Sequence, residues 1–301
     1  MDITPILSDI MARATGTAGT VEKLTRLSGG ANMESSSFDF AGLGFVLRRA
    51  PSAEMMAGRP FGHDVEAAVV RAARKGGVLA PEIVAELTAA DGIGTGYVMR
   101  RVEAEVNPAM ILADPPSCLI TDIGRALAAI HSVPTDGLEL PLMETRSALA
   151  ELGARFQAYG GDRPIIALAL RWCADNLPDP TEPVLVHGDC RMGNLMVDAD
   201  GLAAVLDWEL AHLGDAHEDL AYGCMTVWRF GHIELPAFGC ADLETYFTAY
   251  EAESGTKVEY DRFRFWLIYR TLWWALGCLQ MAEIWRQGID RNLERAVIGR
   301  R

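Results

Sequence analysis

The stretch Val184-Leu-Val-His187-Gly188-Asp189-Cys-Arg-Met-Gly-Asn194-Leu-Met-Val197, followed by Val205-Leu206-Asp207-Trp208-Glu209, holds the residues best suited to chemistry. An apolar strand runs into a polar turn carrying Asp189, and Asn194 lies five residues on. A second short strand returns, and a third ends in Asp207, thirteen residues after the asparagine. This pattern places one base and two oxygen ligands at a common point. Oxygen ligands suit Mg²⁺, a hard cation that accompanies phosphates. Phosphoryl transfer needs such a set: a carboxylate to orient the attacking hydroxyl, and a metal held by Asn and Asp to neutralise developing charge. Asp and Asn are also ordinary turn residues. His187, Gly188 and the carboxylate closing an apolar strand tip the balance toward chemistry.

These residues carry a family likeness. His187-Gly-Asp189 with Asn194, followed by Leu206-Asp207-Trp-Glu209, resembles the aminoglycoside phosphotransferase and choline kinase family. The likeness extends to its broad bacterial branch and to the kinase-like domains fused to acyl-CoA dehydrogenases, and it runs from about Leu27 onward. It implies a two-lobed, protein-kinase-like α+β fold. Residues 1–102 would form a nucleotide-binding lobe, and residues 103–301 a mainly helical lobe for catalysis and acceptor binding.

The resemblance assigns roles to further residues. Leu27-Ser28-Gly29-Gly30-Ala31-Asn32 joins the first two strands. By itself this is a hairpin turn, but in a kinase-like lobe it is the nucleotide loop. There glycines let backbone N–H groups approach phosphate oxygens, with Ser28, Gly29, Gly30 and Asn32 as contacts. Arg48, on the third strand, stands where the family carries a basic residue for the non-transferred phosphates. A guanidinium there is a broad fork, unlike the point charge of lysine. The family needs a helix carboxylate to hold that cation, and Glu66 is the candidate, with Asp64 second. Tyr97 to Val102 resembles the hinge that binds adenine through backbone groups, which assigns Met99, Arg100 and Val102. Asp189 is the expected base, and Asn194 and Asp207 the Mg²⁺ ligands. His187 is expected to brace the loop. Gly214-Asp215 with Asp219-Leu-Ala resembles the family's bracing motif, Asp215 serving as a helix cap. Trp228, Trp266, Trp273 and Trp274 read mainly as core.

At 301 residues the chain can bury a large core in one domain or two lobes. Its formal charge of −14, from 41 acidic and 27 basic residues, argues against nucleic acid and anionic membranes as partners. None of the six cysteines forms a Cys-x-x-Cys pair, so zinc ribbons and redox motifs are not suggested. The N-terminus carries Asp2 and Asp9 without a long apolar run, unlike a signal peptide, and no segment has the length of a membrane span. A cytoplasmic setting is the default. Similar chains continue past the equivalent of Arg301, so further residues are expected.

The elements that must position the site follow from periodicity. Residues 6–14 read as an amphipathic helix, and 21–28, 35–40 and 44–49 as strands of a meander. Val65, Ala68, Val69 and Ala72 have helical spacing, closed by Gly76-Gly77. Strands at 83–87 and 96–102 complete an antiparallel five-stranded lobe with one helix packed on it. Helices are expected at 118–131, 146–159, 165–177, 215–229, 240–254 and 260–286. The expected activity is transfer of a nucleotide γ-phosphate, from ATP or alternatively GTP, to a hydroxyl of a small-molecule acceptor. The rivals are a nucleotide-binding pseudoenzyme and a metal-dependent phosphohydrolase.

Overall fold

The computed structural model describes residues 2–27, 33–160, 162–289 and 293–298. The expected nucleotide loop at Ser28, Gly29, Gly30 and Asn32 lies outside the described residues. Five strands, β1 (Glu22–Arg26), β2 (Glu34–Phe40), β3 (Leu43–Ala50), β4 (Ile83–Glu86) and β5 (Thr95–Arg100), pair antiparallel in the order β1-β2-β3-β5-β4. A tight turn joins β2 to β3, with Ala41 at φ 49° and Gly42 at φ 78°. Two successive positive φ values give the twist that a two-residue hairpin needs.

Strand alternation divides the sheet into two faces. Phe38, Phe40, Phe45, Leu47 and Val98 point to one face, where Ile3 and the residues Leu7, Ile10 and Met11 of α1 (Thr4–Thr15) cover them. Arg48 and Tyr97, opposite each other in register, point to the other face and meet α2 (His63–Lys75). The lobe therefore carries α1 on its apolar face as well as the expected helix. That helix forms where the spacing predicts, but its buried stripe is His63, Glu66, Ala67, Val70 and Ala73, together with Val69. The rotation arises because α2 is packed from two sides. Its Val69, Val70 and Ala73 enter the core of the helical lobe, while Glu66 faces the sheet.

The second lobe contains α3 (Pro108–Ala113), α4 (Leu119–His131), α5 (Thr145–Arg155), α6 (Pro164–Asp175), α7 (Ala216–Tyr222), α8 (Leu243–Ser254), α9 (Tyr260–Arg286) and α10 (Leu293–Ile298). It also holds two small sheets: β6 (Val184–Val186) with β9 (His212–Gly214), and β7 (Leu195–Asp198) with β8 (Gly201–Val205). Its core runs through Ile123, Leu127, Leu185, Leu195, Trp208, Leu220, Phe263 and Trp266. No helix among the described residues is long and apolar enough to cross a membrane.

Apart from end shifts of one or two residues, the helix expected at 146–159 is α only to Arg155 and a π turn over Phe156–Gly160, and two further helices differ from expectation. The helix at 240–254 begins at Leu243, because Asp242 caps it by accepting the Thr245 N–H at 2.8 Å. The helix at 215–229 breaks into α7 and a 3₁₀ turn at Thr226–Arg229, with Met225 in extended backbone between them. Phe238 packs flat against the break, where a Cβ on Gly223 would lie 2.2 Å from the ring. Short α3 was not anticipated, although Asn107 caps it at Ala109 N and Pro108 fills its first turn. Gly223→Ala should therefore overpack this seam and lower stability by about 1–3 kcal/mol. The double variant with Phe238→Leu should recover part of the loss in urea denaturation. Equal losses in both variants would mean that the ring is not the obstacle.

Candidate active site

The loop after β6 holds Asp189. Gly188 enters it at φ 81°, and a Cβ there would lie 2.5 Å from Leu210 O, so the bend needs glycine. Asp219, in the first turns of α7, receives the backbone N–H of His187 at 2.6 Å and of Gly188 at 2.9 Å. The His187 ring is engaged on both sides: Nδ1 receives Asp189 N–H at 3.2 Å, and Nε2 lies 3.0 Å from Leu206 O. The ring also packs on Trp208, with centroids 4.6 Å apart. These bonds tie the Asp189 loop to the Asp207 loop.

The Asp189 carboxylate is aimed from two directions. Arg191 Nε donates to Oδ1 at 3.0 Å, and Asn194 Nδ2 donates to Oδ2 at 2.6 Å and to the backbone O at 2.9 Å. With its amide nitrogen spent on Asp189, Asn194 has its Oδ1 to offer a cation. Asp207, two residues past β8, is in left-handed backbone, φ 66°, a conformation that Asp tolerates better than most residues. Its Oδ1 accepts Arg48 Nη2 at 2.7 Å, which leaves Oδ2 without a hydrogen-bond partner among the described residues. Amide and carboxylate oxygens are the donor chemistry that Mg²⁺ takes. Among the described residues no three His, Cys, Asp or Glu side chains are grouped to hold a metal. A cation here would thus complete its shell with phosphate oxygens and water, as Mg²⁺ commonly does.

Arg48 crosses from the sheet into this site. Its Nε lies 3.2 Å from Glu66 Oε1, and its Nη2 meets Asp207 and, at 2.5 Å, Glu209 Oε2. Burial alone would lower its pKa, but Glu66 and Asp207 outweigh burial and raise it, so the guanidinium stays charged. Tyr97 donates its hydroxyl to Glu66 at 3.0 Å. Nearby His63 is pulled down to about 4 by burial and by Arg48 and Arg59, so it is neutral at physiological pH.

The hinge residues separate. Met99 sits opposite Val46, on the Arg48 face. Arg100 pairs with Phe45, and its guanidinium lies over that ring at 4.9 Å, on the α1 face away from Arg48. The N–H groups of Arg100 and Arg101 are taken by Glu82 O and Gly44 O. Val102, just beyond the strand, keeps its backbone N–H free of partners among the described residues. The bracing residues are buried together. Asp215 caps α7 and receives Arg262 at 2.8 Å and Trp266 Nε1 at 2.9 Å. Arg270 is ion-paired with Glu218 and donates to Gly188 O at 3.1 Å. Sequence reading did not single out Arg59, Arg191, Glu218 or Arg270. Arg191 lies two residues from Asp189 and was open to notice; the Glu218–Arg270 pair spans fifty-two residues and left no local trace.

Asp219 links this bracing to pH. Burial would raise its carboxyl, but His131, together with the backbone N–H of His187, holds it down to about 2 from 3.8. The unfolded chain binds a proton near 3.8 while the native chain does not until about 2. Stability from this group is therefore complete above that window and is lost as pH falls through it. Asp219→Asn should lower stability by about 2 kcal/mol at neutral pH. Its acid limb in denaturant titrations should also be flatter over the window than that of the parent. An unchanged limb would remove Asp219 as its source.

The phosphotransferase enzyme family pattern matches residues 23–266. The chain is 27% identical over 233 residues to acyl-CoA dehydrogenase family member 10 of Mus musculus; the match covers 68% of this chain and 21% of that protein. The chain thus spans about a fifth of the length of that relative. Among solved structures, spectinomycin phosphotransferase APH(9)-Ia with ADP and spectinomycin superposes with TM-score 0.69 at 13% identity, covering 99% of this chain and 93% of that one. A choline/ethanolamine kinase family protein from Mesorhizobium loti superposes with TM-score 0.64 at 19% identity, covering 99% and 91%. The fold is that of the protein-kinase-like aminoglycoside phosphotransferases, and the chain belongs to the phosphotransferase enzyme family.

Proposed function

We propose that this protein is a small-molecule kinase that moves the γ-phosphate of ATP to a hydroxyl of a small acceptor. The observation that carries the reading is the convergence of Asp189, Asn194 and Asp207 with Arg48, through Asn194 Nδ2 on Asp189 at 2.6 Å and Arg48 on Asp207 at 2.7 Å. The nucleotide would lie between the lobes, which we divide at 102/103, with Met99 and Val102 at the base and the loop of Ser28, Gly29, Gly30 and Asn32 over the phosphates. Asn194 Oδ1 and Asp207 would hold Mg²⁺, which supplies charge neutralisation at the phosphates. Asp189 accepts the proton of the acceptor hydroxyl, and Arg191 and Asn194 keep its carboxylate aimed. Arg48, steadied by Glu66, secures the phosphates that are not transferred. Five thiols at Cys118, Cys173, Cys190, Cys224 and Cys240 are free, which suits a reducing, cytoplasmic setting.

The fold admits many acceptors, so the class is left at alcohol-bearing small molecules. Nucleotide consumption should depend on an added alcohol, and the phosphate should appear on that alcohol. Release of inorganic phosphate regardless of acceptor would point to a hydrolase. Nucleotide binding without turnover across a broad alcohol panel would point to a regulatory module. Asp189→Asn should cut turnover by about 10²–10⁴-fold while sparing nucleotide binding. Asp207→Ala should abolish the gain in nucleotide affinity that Mg²⁺ provides; an equal gain in the variant would reassign the ligand.

A further inference from the structure

The connection between β3 and α2 brings a second arginine to the site. Ala53–Met56 make a 3₁₀ turn, Gly58 takes φ 80°, and Arg59 N–H bonds Met56 O at 3.2 Å. The bend carries the Arg59 side chain into the cleft, where it is 11% exposed. Its Nη2 bonds Glu209 Oε2, and its Nη1 lies 3.8 Å from Glu66 Oε2. Arg48 Nη2 donates to the same Glu209 oxygen at 2.5 Å. Two guanidiniums of the sheet lobe therefore converge on one carboxylate oxygen of the helical lobe. Like charges held this close, with little water, need an anion between them. Planar forks of this kind match phosphate oxygens as well as carboxylates. Glu209 stands two residues past Asp207, whose Oδ1 Arg48 also holds, so the point of convergence adjoins the carboxylate assigned to the metal.

We propose that Arg48 and Arg59 form a paired clamp for the nucleotide phosphates, and that the Glu209 carboxylate occupies the position a phosphate oxygen takes. This inference rests on the kinase reading above. Binding is then an exchange of anions: a phosphate oxygen replaces Glu209 Oε2 between the two guanidiniums. Glu66 does not leave. Its contacts with Arg48 Nε at 3.2 Å and Arg59 Nη1 at 3.8 Å keep both forks aimed through the exchange. Glu209 is therefore an internal competitor of the nucleotide, and Arg59 a ligand for it.

A purely structural bridge and a phosphate clamp differ in sign. If the Arg59–Glu209 pair only fastened the lobes together, removing either partner would weaken nucleotide binding. A clamp predicts opposite effects. Calorimetric titration of the full chain with Mg-ATP, with adenosine as the phosphate-free control, reads the difference. Arg59→Ala should weaken Mg-ATP by about 10–100-fold, the worth of one charge-assisted contact, and leave adenosine unchanged. Arg59→Lys should recover part of that loss. Glu209→Gln should tighten Mg-ATP several-fold. Unchanged Mg-ATP affinity in Arg59→Ala would overturn the inference, as would an unchanged or weakened affinity in Glu209→Gln. Weakening by Glu209→Gln equal to that of Asp207→Ala would instead mark Glu209 as a metal ligand. A parent chain that binds neither Mg-ATP nor Mg-GTP sinks the kinase reading and this inference together; a parent that binds while the variants behave like it sinks the inference alone.

Discussion

The buried carboxylate of Asp219 is the constraint on which the site depends. A loop that turns sharply at Gly188 leaves two backbone N–H groups pointing inward, away from water, and such donors are costly if unpaired. Asp219 takes both, and it remains ionised because His131 and those same donors outweigh its burial. The His131 ring is in turn held by the Tyr250 hydroxyl at 2.9 Å, so α4, α7 and α8 meet at one anion. The position of Asp189 is a consequence of this arrangement.

Around that anion lies a wider set of buried charges, each compensated. Asp215 is matched by Arg262 and Trp266, and Glu218 by Arg270 and His212. Burial would lower His212, but Glu218 more than reverses it and raises the ring's pKa. Such pairs add little net stability compared with apolar packing, since desolvation offsets attraction. Their effect is geometric: a charge without its partner is so unfavourable that few alternative packings of the loops survive. Arg270, stacked between Tyr222 and Trp273, connects this set to the Gly188 carbonyl and thus to the turn before Asp189.

The two lobes are held to each other by both kinds of force. Val69, Val70 and Ala73 of α2 are buried in the helical lobe's core, and the Val205 N–H donates to Leu79 O at 2.7 Å. At the mouth of the cleft the connection is ionic, through Arg48 and Arg59 on Asp207 and Glu209. Apolar packing fixes where α2 sits, while ion pairs can exchange partners with a ligand at modest cost. This division suits the proposed entry of nucleotide phosphates, which would exchange ion pairs without repacking the core.

Local pattern determined much of this protein. Strand alternation and helical spacing marked the five-stranded lobe and, at 260–286, the long helix α9 with its bounds. The spacing of Asp189, Asn194 and Asp207 marked the candidate site, because those residues lie within one short run of chain. Asp215 was legible as a cap for the same reason. Tertiary structure decided the rest. The face that α2 buries depends on two neighbours at once, and no single-helix period contains that information. The break after α7 depends on Phe238, fifteen residues from Gly223. Arg59 sits in a bend without periodicity, and its partners Glu66 and Glu209 come from separate lobes. Arg100 and Arg48 share a sheet, yet only the register showed that their side chains leave it on opposite faces. Interactions within a turn or a few residues are written in the sequence; charges that meet across long stretches of chain exist only once the chain has folded.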